Sequence, residues 1–238
     1  MIRTKVIGAG GYGGVGITEL LLQHPEADLV CFVAKNDVGM KMSDLYPPLT
    51  GYCDLPILAP DNPDACQPVD LTIFATPDGI AMSSATEVSA QKSRIIDFSG
   101  DFRFPSASCY REYAERIGRD VEHKAPDLLP NTVYGLPELR RKEINEKTPV
   151  VGNAGCFAVS CILGLAPAVK YKLIEPDTII CDAKSGISGA GKKPNPAFHF
   201  PARYDQINAY RFSGHQHVVE IEQELSTLAG SEIAITFT

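Results

Sequence analysis

The sequence predicts an α/β protein: a doubly wound parallel sheet, followed by an α+β segment that is incomplete at its end. Three observations predict it. Strand-like and helix-like stretches alternate through the first half, which favours a parallel sheet with helices on both faces. A glycine-rich turn joins the first strand to the first helix. A second strand–turn–helix unit opens near Thr148 and carries a cysteine at its turn.

In order, residues 5–8 (KVIG) read as a short buried strand, and Ile17, Leu20, Leu21 and Leu22 as the apolar positions of the helix after the turn. Residues 28–33, 71–75 and 94–98 read as further strands, with a helix over 80–91. Residues 54–68 are rich in Pro, Asp and Asn and predict an irregular connection. In the second half a strand is expected at 149–151, a turn at 152–155, a helix over 158–170 and a strand over 178–183. A Gly/Pro/Lys-rich loop follows at 185–201, then a helix from about 219 and a final strand at 233–237. This organisation predicts two domains, residues 1–147 and 148–238.

Composition is that of an ordinary globular chain: 238 residues, 44% hydrophobic and 21% charged. The net charge of −7, without any Lys/Arg-rich run, argues against a nucleic-acid partner. No apolar run reaches the ~18 residues of a membrane span. The N-terminus passes straight into strand and turn, unlike a secretory leader. The seven cysteines show no CxxC pair and no framework spacing, which fits reduced thiols in a cytoplasmic protein.

The turn Gly8-Ala9-Gly10-Gly11-Tyr12-Gly13-Gly14 satisfies GxxGxxG through Gly8, Gly11 and Gly14. Its setting is that of a Rossmann-type dinucleotide site, where glycines let the backbone approach a pyrophosphate and a helix N-terminus receives the charge. At the end of the second strand stands Lys35, which suits a ribose 2′-phosphate and so favours NADP.

Cys156 follows a strand and the turn Gly152-Asn153-Ala154-Gly155, with a helix starting just beyond. The positive end of a helix favours negative charge on sulfur, and nearby backbone N–H groups can stabilise an oxyanion. Cys156 is therefore the candidate nucleophile, while Cys161 and Cys181 read as core. His215 and His217 precede the last helix, and either can serve as the acid/base beside a thiol. They lack a third ligand at metal-site spacing, so no metal is expected. His24, His123 and His199 read as surface or loop histidines.

Six motifs in order are similar to those of one family: GAGGYGG at 8–14, DFSGDFR at 97–103, YGLPE at 134–138, GNAGCFAVSCILGLAP at 152–167, SGISGAGK at 185–192 and GHQHVVEIEQ at 214–223. The chain resembles the N-acetyl-γ-glutamyl-phosphate reductases, related to aspartate-semialdehyde dehydrogenase. The resemblance implies a Cys156 thioester reduced by NADPH, with His217 favoured over His215 as acid/base. It also implies that Gly8, Gly11, Tyr12, Gly14 and Lys35 bind cofactor together with Ser188, Gly189, Ala190 and Gly191. Arg103 and Asn153 fall to a small acyl-phosphate substrate. A homo-oligomer, dimer or tetramer, is implied as well, and so is a chain that stops short of the family's usual length. Two other readings stay open: a reductase of carrier-linked aminoadipyl phosphate or aspartyl phosphate, and an inactive dinucleotide-binding fragment.

Overall fold

A computed structural model describes residues 1–211 and 214–238. The chain divides into two compact units. One comprises Met1–Ala107 with His123–Asn153, the other Ser108–Glu122 with Ala154–Thr238.

The first unit is built on seven parallel strands: β1 (Ile2–Ile7), β2 (Ala27–Val33), β3 (Ile57–Leu58), β4 (Leu71–Phe74), β5 (Arg94–Asp97), β6 (Thr132–Gly135) and β7 (Val150–Asn153). Their order is β3-β2-β1-β4-β5-β7-β6. The order reverses between β1 and β4, and in open α/β sheets ligands bind at the carboxyl ends of the strands at such a reversal. Register places Val6 beside both Phe32 and Ile73, all three buried, so the middle of the sheet is apolar on every side. Short Val/Ile-rich runs of this kind are what a strand covered on both faces requires.

Helix α1 (Tyr12–Gln23) follows β1, and its buried face is Gly14, Thr18 and Leu21, spaced i, i+4, i+7. Thr18 returns its hydroxyl to the Gly14 carbonyl at 2.8 Å, which hides the only polar group on that face. Helix α2 is a single turn, Met42–Leu45, with Met42 fully buried beneath it. Helix α3 (Ile80–Ala90) packs on β5.

The segment from Asp97 to Arg103 is buried although half of it is polar. Asp97, Ser99, Asp101 and Arg103 are each at most 7% exposed. Every polar group in it finds a partner, as burial demands. The Asp101 carboxylate accepts the N–H groups of Gly79 and Met82, capping α3. Asp78 accepts the Gly100 N–H at 2.6 Å. The His123 ring accepts the Ala125 N–H on Nδ1 and therefore donates from Nε2 to the Asp101 carbonyl. His123 is 4% exposed, so its assignment to the surface is corrected: it is a buried strut.

The second unit contains α4 (Ala107–Arg116) for all but its first residue, α5 being a turn at Pro137–Arg140 of the first unit. Helix α6 (Cys156–Lys170) packs along α8 (His217–Ala229). Helix α6 buries Phe157, Ala158, Ile162, Ala166 and Val169, and tolerates Pro167 near its end. Helix α8 ends on Gly230 in the left-handed conformation (φ 72°), whose N–H returns to Ser226. Strands β8 (Ile179–Cys181) and β9 (Ile235–Phe237) pair in parallel, and α7 is one turn at Phe200–Arg203.

The sequence expectations differ from this in several places. The irregular stretch at 54–68 contains β3, a two-residue strand held by β2. Helix α6 begins at Cys156 itself, two residues earlier than expected, and α8 begins at His217. The last strand is shorter than expected, beginning at Ile235 because Ile233 turns inward to donate its N–H to Ser226. Ser213, which precedes the histidine segment, lies outside the described residues.

Candidate active site

The glycine turn sits directly after β1, at the reversal of strand order. Its backbone is tied to the end of β2: the Gly8 N–H donates to the Val33 carbonyl at 2.8 Å. Gly8 has φ +87°, and a Cβ there would strike the Ala75 carbonyl. Gly14 lies within α1 and carries no such strain, yet a Cβ on it would strike the backbone of Ala9. Both positions therefore exclude every other residue. Gly11 is the N-cap of α1 in extended conformation; among the described residues no side chain caps this helix, and its first turn carries no acid. Free N–H groups and an uncompensated positive helix end are what a pyrophosphate needs. Tyr12 opens α1 and is about half exposed, and Lys35 is exposed beyond the end of β2. The residues present fit a dinucleotide.

Arg103 is 7% exposed. Its Nε donates to the Asn153 carbonyl and its Nη2 to the Phe98 carbonyl, both at 2.8 Å. It thereby ties the end of β5 to the end of β7. Arg103 and Asn153, expected to meet substrate, do come together, but through a bond that braces the sheet. Next to them Gly152 passes so close to Phe102 that a Cβ would collide with the Phe102 carbonyl.

In the second unit Cys156 is the first residue of α6 and is exposed. The residue before it, Gly155, donates its N–H to Glu220 Oε2 at 3.0 Å. Glu220 is fully buried, and its other oxygen faces His217 Nε2 at 3.7 Å. One carboxylate thus holds the turn that presents the thiol and faces a candidate acid/base. Phe157 meets both histidine rings, with centroids 5.3 Å from His215 and 6.2 Å from His217. The cysteine turn and the histidine segment are one cluster.

The two histidines stand differently within it. His215 lies among Phe157, Tyr210 and Phe237 and is 3% exposed. Its Nδ1 accepts the His217 N–H at 3.2 Å. Burial, and then the Arg211 guanidinium, hold its pKa below the usual histidine value. It is a neutral ring that caps the start of α8. Tyr210 lies beside the thiol, and its hydroxyl is pushed up first by burial and then by the Cys156 sulfur.

Sequence reasoning did not single out Glu220 or Tyr210. Glu220 had a signal: an acid three residues after a histidine, in the first turn of a helix, among valines and isoleucine. Ser188, Gly189, Ala190 and Gly191 form an exposed single turn, closed by Gly191 N–H to the Ser188 carbonyl.

Residues 3–147 match the family model for the semialdehyde dehydrogenase NAD binding domain, and residues 156–238 that for the semialdehyde dehydrogenase dimerisation domain. The N-acetyl-gamma-glutamyl-phosphate reductase of Acidithiobacillus ferrooxidans is 40% identical over 238 residues, all of this chain and 67% of that protein. The chain belongs to the N-acetyl-γ-glutamyl-phosphate reductase family. It spans about two thirds of the length of the curated relatives it matches. Among solved structures, aspartate semialdehyde dehydrogenase II of Vibrio cholerae aligns with TM-score 0.68 at 15% identity, covering 100% of this chain and 69% of that one. Aspartate semialdehyde dehydrogenase of Candida albicans, solved with NADP, aligns with TM-score 0.61 at 14% identity, covering 100% and 67%. At such identities these structures speak for the fold, a Rossmann-type unit followed by the family's second domain.

Proposed function

We propose that the chain carries the active centre of an NADPH-dependent reductase that converts N-acetyl-L-glutamyl 5-phosphate to the 5-semialdehyde in arginine biosynthesis. The observation that carries this reading is the Glu220 carboxylate, bonded to the Gly155 N–H and facing His217, beside an exposed thiol at a helix N-terminus. The names and identities of the relatives support the substrate.

The Cys156 sulfur attacks the acyl carbon, the C–O bond to phosphate breaks, and inorganic phosphate leaves a thioester on Cys156. A dinucleotide, when bound, would supply a hydride to this carbonyl. When the C–S bond then breaks, the electron pair returns to sulfur and the carbonyl re-forms. His217 holds the proton that moves on and off the substrate oxygen, and Glu220 faces its ring. His215 fixes the backbone at the start of α8. Gly8, Gly11, Tyr12 and Gly14 would hold the pyrophosphate, Lys35 the ribose end, and Ser188, Gly189, Ala190 and Gly191 the nicotinamide end. Arg103 and Asn153 frame the substrate's anionic groups by fixing the ends of β5 and β7.

This reading makes residues 1–147 the cofactor domain and 148–238 the catalytic domain of a cytoplasmic homo-oligomer, dimer or tetramer. The test is phosphate-dependent NADP⁺ reduction by N-acetylglutamate semialdehyde, compared with aspartate semialdehyde. A Cys156→Ser protein that keeps its rate would refute the mechanism, and a preference for aspartate semialdehyde would refute the substrate.

A further inference from the structure

At the carboxyl end of β2 the chain turns back over the glycine turn. Lys35 and Asn36 point outward, and Asp37 then adopts the left-handed conformation, φ 59°. A bond from the Met40 N–H to the Asp37 carbonyl closes this bend. The bend returns the Asp37 carboxylate to the turn: its Oδ2 lies 3.1 Å from where a Cβ on Gly10 would stand. On the same residue the Tyr46 hydroxyl donates to the Gly10 carbonyl at 2.9 Å. Gly10 thus lies between a phenol and a carboxylate, and a Cβ there would press on that carboxylate.

In strand–turn–helix dinucleotide sites the adenosine ribose lies between the end of the second strand and the glycine turn. A carboxylate there accepts a hydrogen bond from a ribose 2′-hydroxyl and repels a 2′-phosphate. Lys35, two residues earlier, has the opposite preference. We infer that Asp37 is a specificity-determining residue that reads the 2′ position of the cofactor ribose against Lys35, so that the chain binds NADH as well as NADPH. This rests on the reductase reading only for the identity of the cofactor site.

The test is direct titration of NADPH and NADH by nicotinamide fluorescence, with no substrate present. It uses the full chain, Asp37→Asn and Lys35→Met. Asparagine keeps the shape and tolerates the left-handed backbone. The wild-type chain is expected to bind the two dinucleotides within about tenfold of each other. Asp37→Asn is expected to shift the ratio toward NADPH by roughly tenfold, the worth of one hydrogen bond to a charged group. Lys35→Met is expected to shift it toward NADH. An Asp37→Asn ratio within about twofold of wild type overturns the inference while leaving the reductase reading intact. So does a wild-type chain that binds NADPH but no NADH. Binding of neither dinucleotide overturns both.

Discussion

The Glu220 carboxylate and the Gly155 N–H, 65 residues apart in sequence, meet at 3.0 Å in a fully buried bond. That bond fixes the residue preceding the Cys156 thiol. Glu220→Ala leaves the Gly155 N–H buried without its acceptor, which costs about 1–3 kcal/mol of stability. It also removes the carboxylate from His217. Glu220→Gln keeps an acceptor for Gly155 but not the charge. Denaturant titration and kcat separate the two roles: Gln is expected to restore most of the stability while leaving kcat lowered, because the group that faces His217 no longer carries a charge.

Cys156 is exposed, so changing it removes no packing. Cys156→Ser is expected to leave the melting curve within about 0.5 kcal/mol of wild type and to lower kcat by roughly a thousandfold or more, since a hydroxyl is a far weaker nucleophile than a thiolate. A parallel loss of stability would show that the residue is structural. Mass spectrometry of the protein mixed with acyl phosphate is expected to show the acyl adduct on wild type alone.

Much of this centre was legible in the sequence, for physical reasons. The Gly8–Gly14 spacing and the position of Cys156 between strand and helix are local features, and local patterns survive into the fold. The two-residue strand β3 was not legible, because its only support is pairing with β2 and its flanks are Pro, Asp and Asn. Buried charges were illegible for a similar reason. Asp101 and His123 carry a surface composition, yet both are inside because partners distant in sequence satisfy them there: the Gly79 N–H for Asp101 and the Asp101 carbonyl for His123. Nor did His215 and His217 differ in sequence context. What separates them is a ring of aromatic side chains around one and a carboxylate facing the other.

Gly14 and Gly16 make a matched pair on α1. A Cβ on Gly14 collides with the Ala9 backbone, whereas a Cβ on Gly16 meets nothing within 4 Å. Gly14→Ala must move the turn away from the helix and is expected to abolish dinucleotide binding by fluorescence titration. Gly16→Ala, exposed in the helix interior, is expected to raise stability by about 0.5–1 kcal/mol through helix propensity and to leave binding unchanged. Equal loss of binding in both variants would show that the helix, rather than the turn, is what the cofactor senses.

Asp97 predicts a pH dependence of stability. Its carboxyl is completely buried at the end of β5, and burial, reinforced by the nearby Asp101 carboxylate, pushes its pKa up to about 7. Bonds from the Ser99 N–H and hydroxyl oppose the shift without cancelling it. An unfolded chain releases this proton near pH 3.9, so between about pH 4 and 7 the folded state holds more protons than the unfolded one. Linkage then makes stability fall as pH rises through that window and level off above it. Two histidines act in the opposite sense: burial lowers the pKa of His123 and His215, so each costs stability as pH falls below about 6.5. The raw pH curve therefore mixes the two, and the difference between wild type and Asp97→Asn isolates the carboxyl. Asparagine keeps the acceptor for Ser99 and carries no charge at any pH. Between pH 5 and 7.5 the wild-type protein is expected to lose more stability, by denaturant titration, than Asp97→Asn does. Identical slopes for the two proteins would mean that Asp97 is already ionised in the fold at pH 5, with Arg103 as the opposite charge beside it in the buried segment.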